Sequence, residues 1–300
     1  MQAIRVRSYY GSNKSREYFE GWYFRQQTDG QAVAFIPAMH IDAAGERSAS
    51  IQIITNAFSD RVTYPIEAFH AQEDSLRVTI GGNRFSEEGI VANIHTDRLD
   101  IKGELVYGAF TRLRYDIMGP FRYLPNMQCR HSVISMAHTV WGKLTVNGEE
   151  LLFENAYGYL EGDRGSSFPK RYIWTQASLE DGVSVMLSVA DIPYFGKVFC
   201  GIIGFVYMEG RELRIATYLG AKLERLDKRL ISVRQGEYLL QAEVLQESPR
   251  PLYAVVSGSM ARMIKESPSA RVRYRLYQKG RAVFDLVGDC AGYEDEYGFR

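Results

Sequence analysis

Polar and apolar residues alternate with period two along much of this chain, the pattern of strands with one buried face. Arg77-Val78-Thr79-Ile80 shows it ahead of Gly81-Gly82, and Arg271 to Tyr277 shows it ahead of Lys279-Gly280. Asp29-Gly30, Asn147-Gly148 and Asp181-Gly182 each divide two such runs. Pairs of this kind favour the left-handed backbone of tight hairpin turns. The most apolar stretch, Val183 to Met208, is interrupted by Asp191, Pro193, Gly196 and Lys197. A helix crossing a bilayer needs about 20 apolar residues, so this stretch predicts two buried strands and no transmembrane segment. One tract departs from the strand pattern. Ala221 to Gln235 lacks Gly and Pro and sets Leu223, Leu226 and Leu230 at helical spacing, which predicts one short helix.

Composition sharpens the fold class. The 300 residues include 20 Tyr, 15 Phe, 3 Trp and 27 Gly, a mixture suited to strands and tight turns. The expectation is an all-β protein with one or few short helices. Pieces of the pattern also recur. Trp22 precedes Asp29-Gly30 as Trp174 precedes Asp181-Gly182, Thr63-Tyr64 recurs as Thr217-Tyr218, and the turn glycine Gly82 recurs as Gly236. Gly158-Tyr159-Leu160-Glu161 is echoed by Gly292-Tyr293-Glu294-Asp295. The nearly constant offset predicts two copies of one β unit, 1–163 and 164–300. Extra residues in the first copy, Met118 to Ser135, carry Pro120, Pro125 and Asn126 and are expected to form a loop. A unit of this size closes naturally as an antiparallel barrel, and a barrel of about eight strands is either filled by its own side chains or holds one small ligand.

Charge and cysteine usage exclude several functions. Lys+Arg and Asp+Glu number 36 each, so no basic excess is available to neutralise a nucleic-acid backbone. Cys129, Cys200 and Cys290 are widely spaced and form no CxxC pair, which indicates neither a disulfide framework nor a zinc site. Met1 to Arg7 has no apolar core ahead of a cleavage site, so a cytoplasmic location is expected. No G-x-S-x-G elbow surrounds Ser166-Ser167, and no G-x-G-x-x-G follows a strand.

Two segments stand out. In Tyr18-Phe19-Glu20-Gly21-Trp22-Tyr23-Phe24-Arg25, strand parity places Glu20, Trp22 and Phe24 on one face and Tyr23 and Arg25 on the other. A carboxylate among aromatics is either functional or a rim Glu paired with an arginine such as Arg25. The run from Asn155 to Gln176 spans the junction of the two units and concentrates glycines, two carboxylates and three cations. It is either a cleft-facing loop or a salt-bridged linker. The Glu20-Gly21-Trp22-Tyr23-Phe24-Arg25 segment, and Glu161 followed by Gly165-Ser166-Ser167-Phe168-Pro169-Lys170-Arg171-Tyr172, Trp174 and Gln176, resemble the two signature regions of the tocopherol cyclase family. Relatives of that family include carotenoid hydratases and lipid-binding proteins. The resemblance covers about a tenth of the chain, but its motifs are long and in order. It implies two lipocalin-like barrels in tandem. The family carries Asn and Trp where this chain has Asp163 and Arg164, whereas Glu161 and Gly165 match, so a different substrate is expected.

The family's reaction, as the resemblance implies it, adds a phenol oxygen across a prenyl double bond without redox change, metal or organic cofactor. Delivering a proton to an alkene needs an acid kept neutral, most simply a carboxyl raised by burial. Aromatic faces then stabilise the cation by about 0.5 to 2 kcal/mol each. Glu161 is the first candidate acid, Glu20 the second and Asp163 the third, since Arg164 beside it favours an ion pair. Trp22, Tyr159 and Trp174 are expected to line the cavity, and Lys170 and Arg171 to orient a head group or stabilise the loop. His131 and His138 have odd spacing and would lie on opposite faces of a regular strand, which argues against a joint site. The expected partner is a small hydrophobic isoprenoid or lipid, compatible with transient contact at a membrane surface. Alternatives are a non-catalytic carrier of the same ligand, or a structural protein with filled barrels.

Overall fold

The computed structural model describes residues 8–28 and 30–299. The Met1 to Arg7 start and Asp29 of the first expected turn lie outside the described residues. Two antiparallel sheets dominate. The first contains β1 (Tyr18–Thr28), β2 (Gln31–Ile41), β3 (Arg47–Thr55), β4 (Ser59–Pro65), β5 (Phe69–Ala71) and β6 (Arg77–Ile80). It continues with β7 (Asn83–Ser86), β8 (Gly89–His95), β9 (Asp100–Tyr107), β10 (Cys129–Val146) and β11 (Glu149–Gly165). The second contains β12 (Tyr172–Ser178), β13 (Ser184–Tyr194), β14 (Lys197–Met208), β15 (Arg211–Ala216) and β16 (Lys222–Leu226). It ends with β17 (Leu230–Gln235), β18 (Tyr238–Gln246), β19 (Arg250–Val256), β20 (Ser259–Gln278) and β21 (Arg281–Asp295).

Connectivity repeats. β1 lies between β2 and β11, and β12 lies between β13 and β21, so in each sheet the first strand pairs with the second and with the last. One of the two sheets is a nearly closed barrel. The architecture is a tandem lipocalin-like all-β fold. Among the described residues the helices are five short 3-10 turns.

The predicted helix is absent. Ala221 to Gln235 instead forms the β16–β17 hairpin, closed by Asp227, whose side chain accepts the Arg229 and Leu230 amides at 3.0 and 3.1 Å. The reason is a bulge between Leu223 and Arg225, which brings residues three apart onto one strand face and so imitates helical spacing. The insertion also differs from expectation. Residues 119–123 form a 3-10 turn, and β10 has already begun at Cys129. The run leading into it crosses to the second sheet, where buried Arg214 donates to the Tyr115 and Asp116 carbonyls at 2.9 and 3.1 Å.

Each sheet wraps a filled core. Phe24, Phe35, Phe85 and Phe153 pack inside the first, and Ile173, Leu187, Tyr274 and Leu276 inside the second. Burying such a side chain stabilises the fold by about 1.5 to 3 kcal/mol. A third apolar cluster lies between the sheets and includes Tyr23, Tyr159, Trp174, Phe205 and Ile264.

The connectivity recurs, but the tryptophan match is one residue out of register. Trp22 faces the first core, whereas Trp174 faces the intersheet cluster, so Tyr23 is the counterpart of Trp174. A one-residue slip moves a side chain to the other face of a strand. Thr63-Tyr64 lies in β4 while Thr217-Tyr218 begins a 3-10 turn, so that pair does not superpose either. Gly82 and Gly236 each lie in a hairpin turn, after β6 and after β17, but counted across the sheets from β1 and β12 these turns fall at different places.

Candidate active site

The outward face of a barrel strand is ordinarily polar. On β1 it carries Phe19, Gly21 and Tyr23, because this face is covered by the second sheet. Between the sheets lies a cavity of about 180 Å³. β1 and β2 supply Phe19, Tyr23, Ile36 and Ala38 to one wall, and β12 and β13 supply Tyr172, Trp174, Ala190 and Ile192 to the other. Phe168 and Pro169, from the segment joining the sheets, also border it.

The polar groups of the cavity fall into two sets. On β11, Glu161 and Asp163 share a face with Tyr159, and β10 sets His131 opposite Asp163 in register. His131 Nδ1 lies 3.1 Å from Asp163 and Nε2 lies 3.3 Å from Glu161. The Tyr159 hydroxyl donates to Glu161 at 2.6 Å. Burial opposes charging of the imidazole, yet the two carboxylates outweigh it and hold the His131 pKa well above its ordinary value. His131 is therefore an imidazolium between two carboxylates. These three side chains bring a nitrogen and two oxygens within 4.8 Å of one another, a donor set with metal-ligand chemistry. Both ring nitrogens already face carboxylates, so a metal would have to displace one of those contacts.

The second set belongs to the second sheet. Glu294 on β21 is in register with Trp174 on β12 and with Glu266 on β20. Tyr172 donates to Glu294 at 2.5 Å, and Tyr23 reaches across from the first sheet to donate to Glu266 Oε1 at 2.5 Å. Burial pushes the Glu266 carboxyl up to about 7, against the Tyr23 hydrogen bond and the Arg25 charge, which lower it. Burial, then the neighbouring Glu266, push Glu294 well above the carboxylate range. Glu266 Oε2 has no hydrogen-bond partner among the described residues. Buried Arg25 donates to the carbonyls of Pro268 and Cys290 at 2.8 and 2.7 Å. His131 thus balances the carboxylates of β11, whereas Arg25 acts on Glu266, and burial holds the pair on the second sheet toward the neutral form.

The two carboxyl sets are related by the repeat. Tyr23 is in register with Glu161, Trp174 is in register with Glu294, and the Tyr23 and Trp174 rings meet edge to face at 5.6 Å. Glu161 and Glu294 therefore hold the same position in the two halves, as do Val133 and Glu266.

No protein-family profile matches the chain, and no curated protein does. Solved structures do match. An AttH assigned in Nitrosomonas europaea shares 13% identity at a TM-score of 0.58, covering 99% of this chain and 97% of the other. CghA bound to Sch210972 shares 9% identity at a TM-score of 0.60, covering 93% and 88%. Kievitone hydratase from Nectria haematococca shares 11% identity at a TM-score of 0.53, covering 98% and 94%. The chain has their fold. At these identities the likeness extends over nearly the whole length and concerns architecture alone.

The expected site residues separate into two groups. Glu161, Asp163 and Trp174 line the cavity, and Trp22 borders it while packing in the first core. Tyr159 stands behind Glu161. Glu20 does not line it. Its carboxylate, raised by burial and lowered by its donors, accepts from the Tyr10 amide and the Tyr18 hydroxyl at 2.9 and 2.8 Å. Arg25 is on the opposite face of β1 and is not its partner. Asp163 pairs with His131, whereas Arg164 lies 4.0 Å over the Tyr10 ring. Lys170 and Arg171 are exposed outside the cavity, and Arg171 pairs with Asp191 at 3.5 Å.

Sequence reasoning missed Glu266, Glu294 and the role of His131. Glu294 was within reach, since its segment echoes the one that holds Glu161. Glu266 had no local signal. The two histidines are indeed apart: His138 packs on Tyr107 and Phe110, and burial lowers its pKa to about 3.

Proposed function

We propose that this chain catalyses acid-promoted addition of an oxygen nucleophile to a carbon–carbon double bond of an apolar, isoprenoid-type substrate held between the two sheets. Addition of water gives hydration, and addition of the substrate's own phenol gives the ring closure of tocopherol-cyclase-like chemistry. The observation that carries this reading is the division of carboxyls around one apolar cavity: Glu266 and Glu294 side by side on the second sheet, where burial favours their protonated form, and Glu161 and Asp163 against His131 on the first. Glu266 gives its proton to the alkene carbon, leaving a tertiary cation stabilised by the Tyr23 and Trp174 rings. The new carboxylate is held by the Tyr23 hydroxyl and the Arg25 charge. The nucleophile's oxygen bonds to the cation, and its proton passes to Glu161, which His131 and Tyr159 hold in place. Return of that proton to Glu266 closes the cycle with no change of redox state. Glu161 thus serves as base in this reading, with the acid role moved to Glu266.

A carrier has no use for this arrangement, because an apolar ligand is held by buried area while buried ionic groups cost several kcal/mol each to desolvate. The test is native mass spectrometry for a co-purified lipid, then incubation with a prenylated hydroquinone. Glu266→Gln and Glu161→Gln are each expected to keep ligand affinity and lose turnover by about 100-fold or more. Full turnover in Glu266→Gln removes it as the acid, and ligand bound but returned unchanged by the native chain supports a carrier.

A further inference from the structure

Beyond Ala190, β13 no longer pairs with β12, and β14 pairs with β15 only from Ile203 onward. Residues 192–200 therefore form a two-stranded ribbon paired only with itself. Its inner side brings Ile192 and Phe199 to the cavity, and its turn carries Phe195 and Val198 into solvent. Phe121, another cavity residue, meets Phe199 in a tilted ring contact at 5.8 Å, and Tyr123 follows it on the surface. Tyr123, Phe195 and Val198 are 78%, 76% and 65% exposed, the three highest values for large apolar side chains among the described residues. A soluble surface has no reason to gather its most exposed aromatics at the end of an apolar cavity.

Two lysines at this rim stand outside the ion pairs. Asp191 is paired with Arg171 and Asp116 with Arg122. Lys197, in the ribbon itself, and Lys170 have no ion-pair partner among the described residues, and both are exposed. Exposed aromatic and aliphatic tips flanked by lysines match an anionic bilayer surface, where the tips enter the acyl boundary and the lysines meet the lipid head groups.

We propose that the β13–β14 ribbon and the adjoining Tyr123 turn dock the protein on anionic membranes, with the intersheet cavity next to the lipid from which an apolar ligand would enter. The surface is argued without reference to the reaction, and membrane binding is read without substrate, so either reading can fail alone. The test is flotation of the full chain with phosphatidylcholine vesicles, with and without phosphatidylglycerol. Expected are partition favouring the phosphatidylglycerol vesicles, loss of that preference at high salt, and a fall of about tenfold or more for Phe195→Asp combined with Val198→Asp. These positions are exposed, so the double variant should keep its circular dichroism and melting point. Lys197→Glu provides an independent variant and should weaken only the phosphatidylglycerol-dependent part. Cys200 lies on the ribbon and is the exposed cysteine, so an environment-sensitive dye there should shift to the blue on vesicles. Absence of partition, equal partition by the double variant, or an unmoved dye spectrum would each overturn the proposal.

Discussion

Glu266 gains its proton affinity from burial, and that has a consequence for stability with a definite sign. Its carboxyl has the ordinary glutamate value of 4.5 when unfolded and is pushed up to about 7 when folded. Between those values the native chain holds a proton that the unfolded chain has released, so this group's contribution falls as pH rises through the window. Its full effect is about 3 kcal/mol, the shift converted at about 1.4 kcal/mol per unit. Glu266→Gln cannot titrate, so its melting point should decline less than that of the native protein between pH 5 and pH 8, measured by calorimetry. An equal decline in both proteins would mean that Glu266 is already ionised in the fold. At this scale the sequence was partly legible. Glu161 and Trp174 sit in long motifs whose types suggest their chemistry. Glu266 follows a lysine in an unremarkable strand, and only burial by residues distant in sequence changes its acidity.

The β19–β20 hairpin clasps the second sheet to the first. Gln52 on β3 donates to the Tyr253 carbonyl at 3.0 Å and accepts its amide at 2.8 Å, in the manner of a backbone ladder. Ser59 donates to the Pro251 carbonyl at 2.6 Å, and Arg61 lies 4.0 Å over the Tyr253 ring. The hairpin's turn places Gly258, at φ +77°, under the Ile41 carbonyl and the Tyr18 amide, where a Cβ would collide with backbone. Gly258→Ala is expected to loosen the clasp at a cost of about 1 to 3 kcal/mol, read as faster proteolysis within residues 250–266. Unchanged cleavage would show that the turn shifts without undocking. The elements that sequence patterns misjudged share one cause. Leu223, Leu226 and Leu230 mimic a helix because a bulge breaks strict alternation, and His131 belongs to a strand although its surroundings carry loop residues. Local periodicity assumes an uninterrupted ladder, whereas bulges are set by the neighbouring strand.

In the molecule as a whole, the two sheets are filled by their own side chains and the cavity is made by their contact. Residues 18–165 without the second sheet would expose Tyr23, Met136, Tyr159 and the carboxyls of β11. Each half expressed alone is therefore expected to bind an apolar dye such as anilinonaphthalene sulfonate strongly and to lose ligand binding, with both effects reversed on mixing the halves. A soluble half that still binds ligand would put the site inside one barrel. The all-β class and several hairpin turns, among them Asn147-Gly148 and Lys279-Gly280, were readable from residue order alone, because alternation and turn chemistry act between near neighbours in the chain. Which face of β1 is buried, which carboxyls meet and where the empty space lies required the packed molecule. Those properties depend on one-residue register and on contacts between residues as distant as Tyr23 and Glu266, which no periodicity encodes.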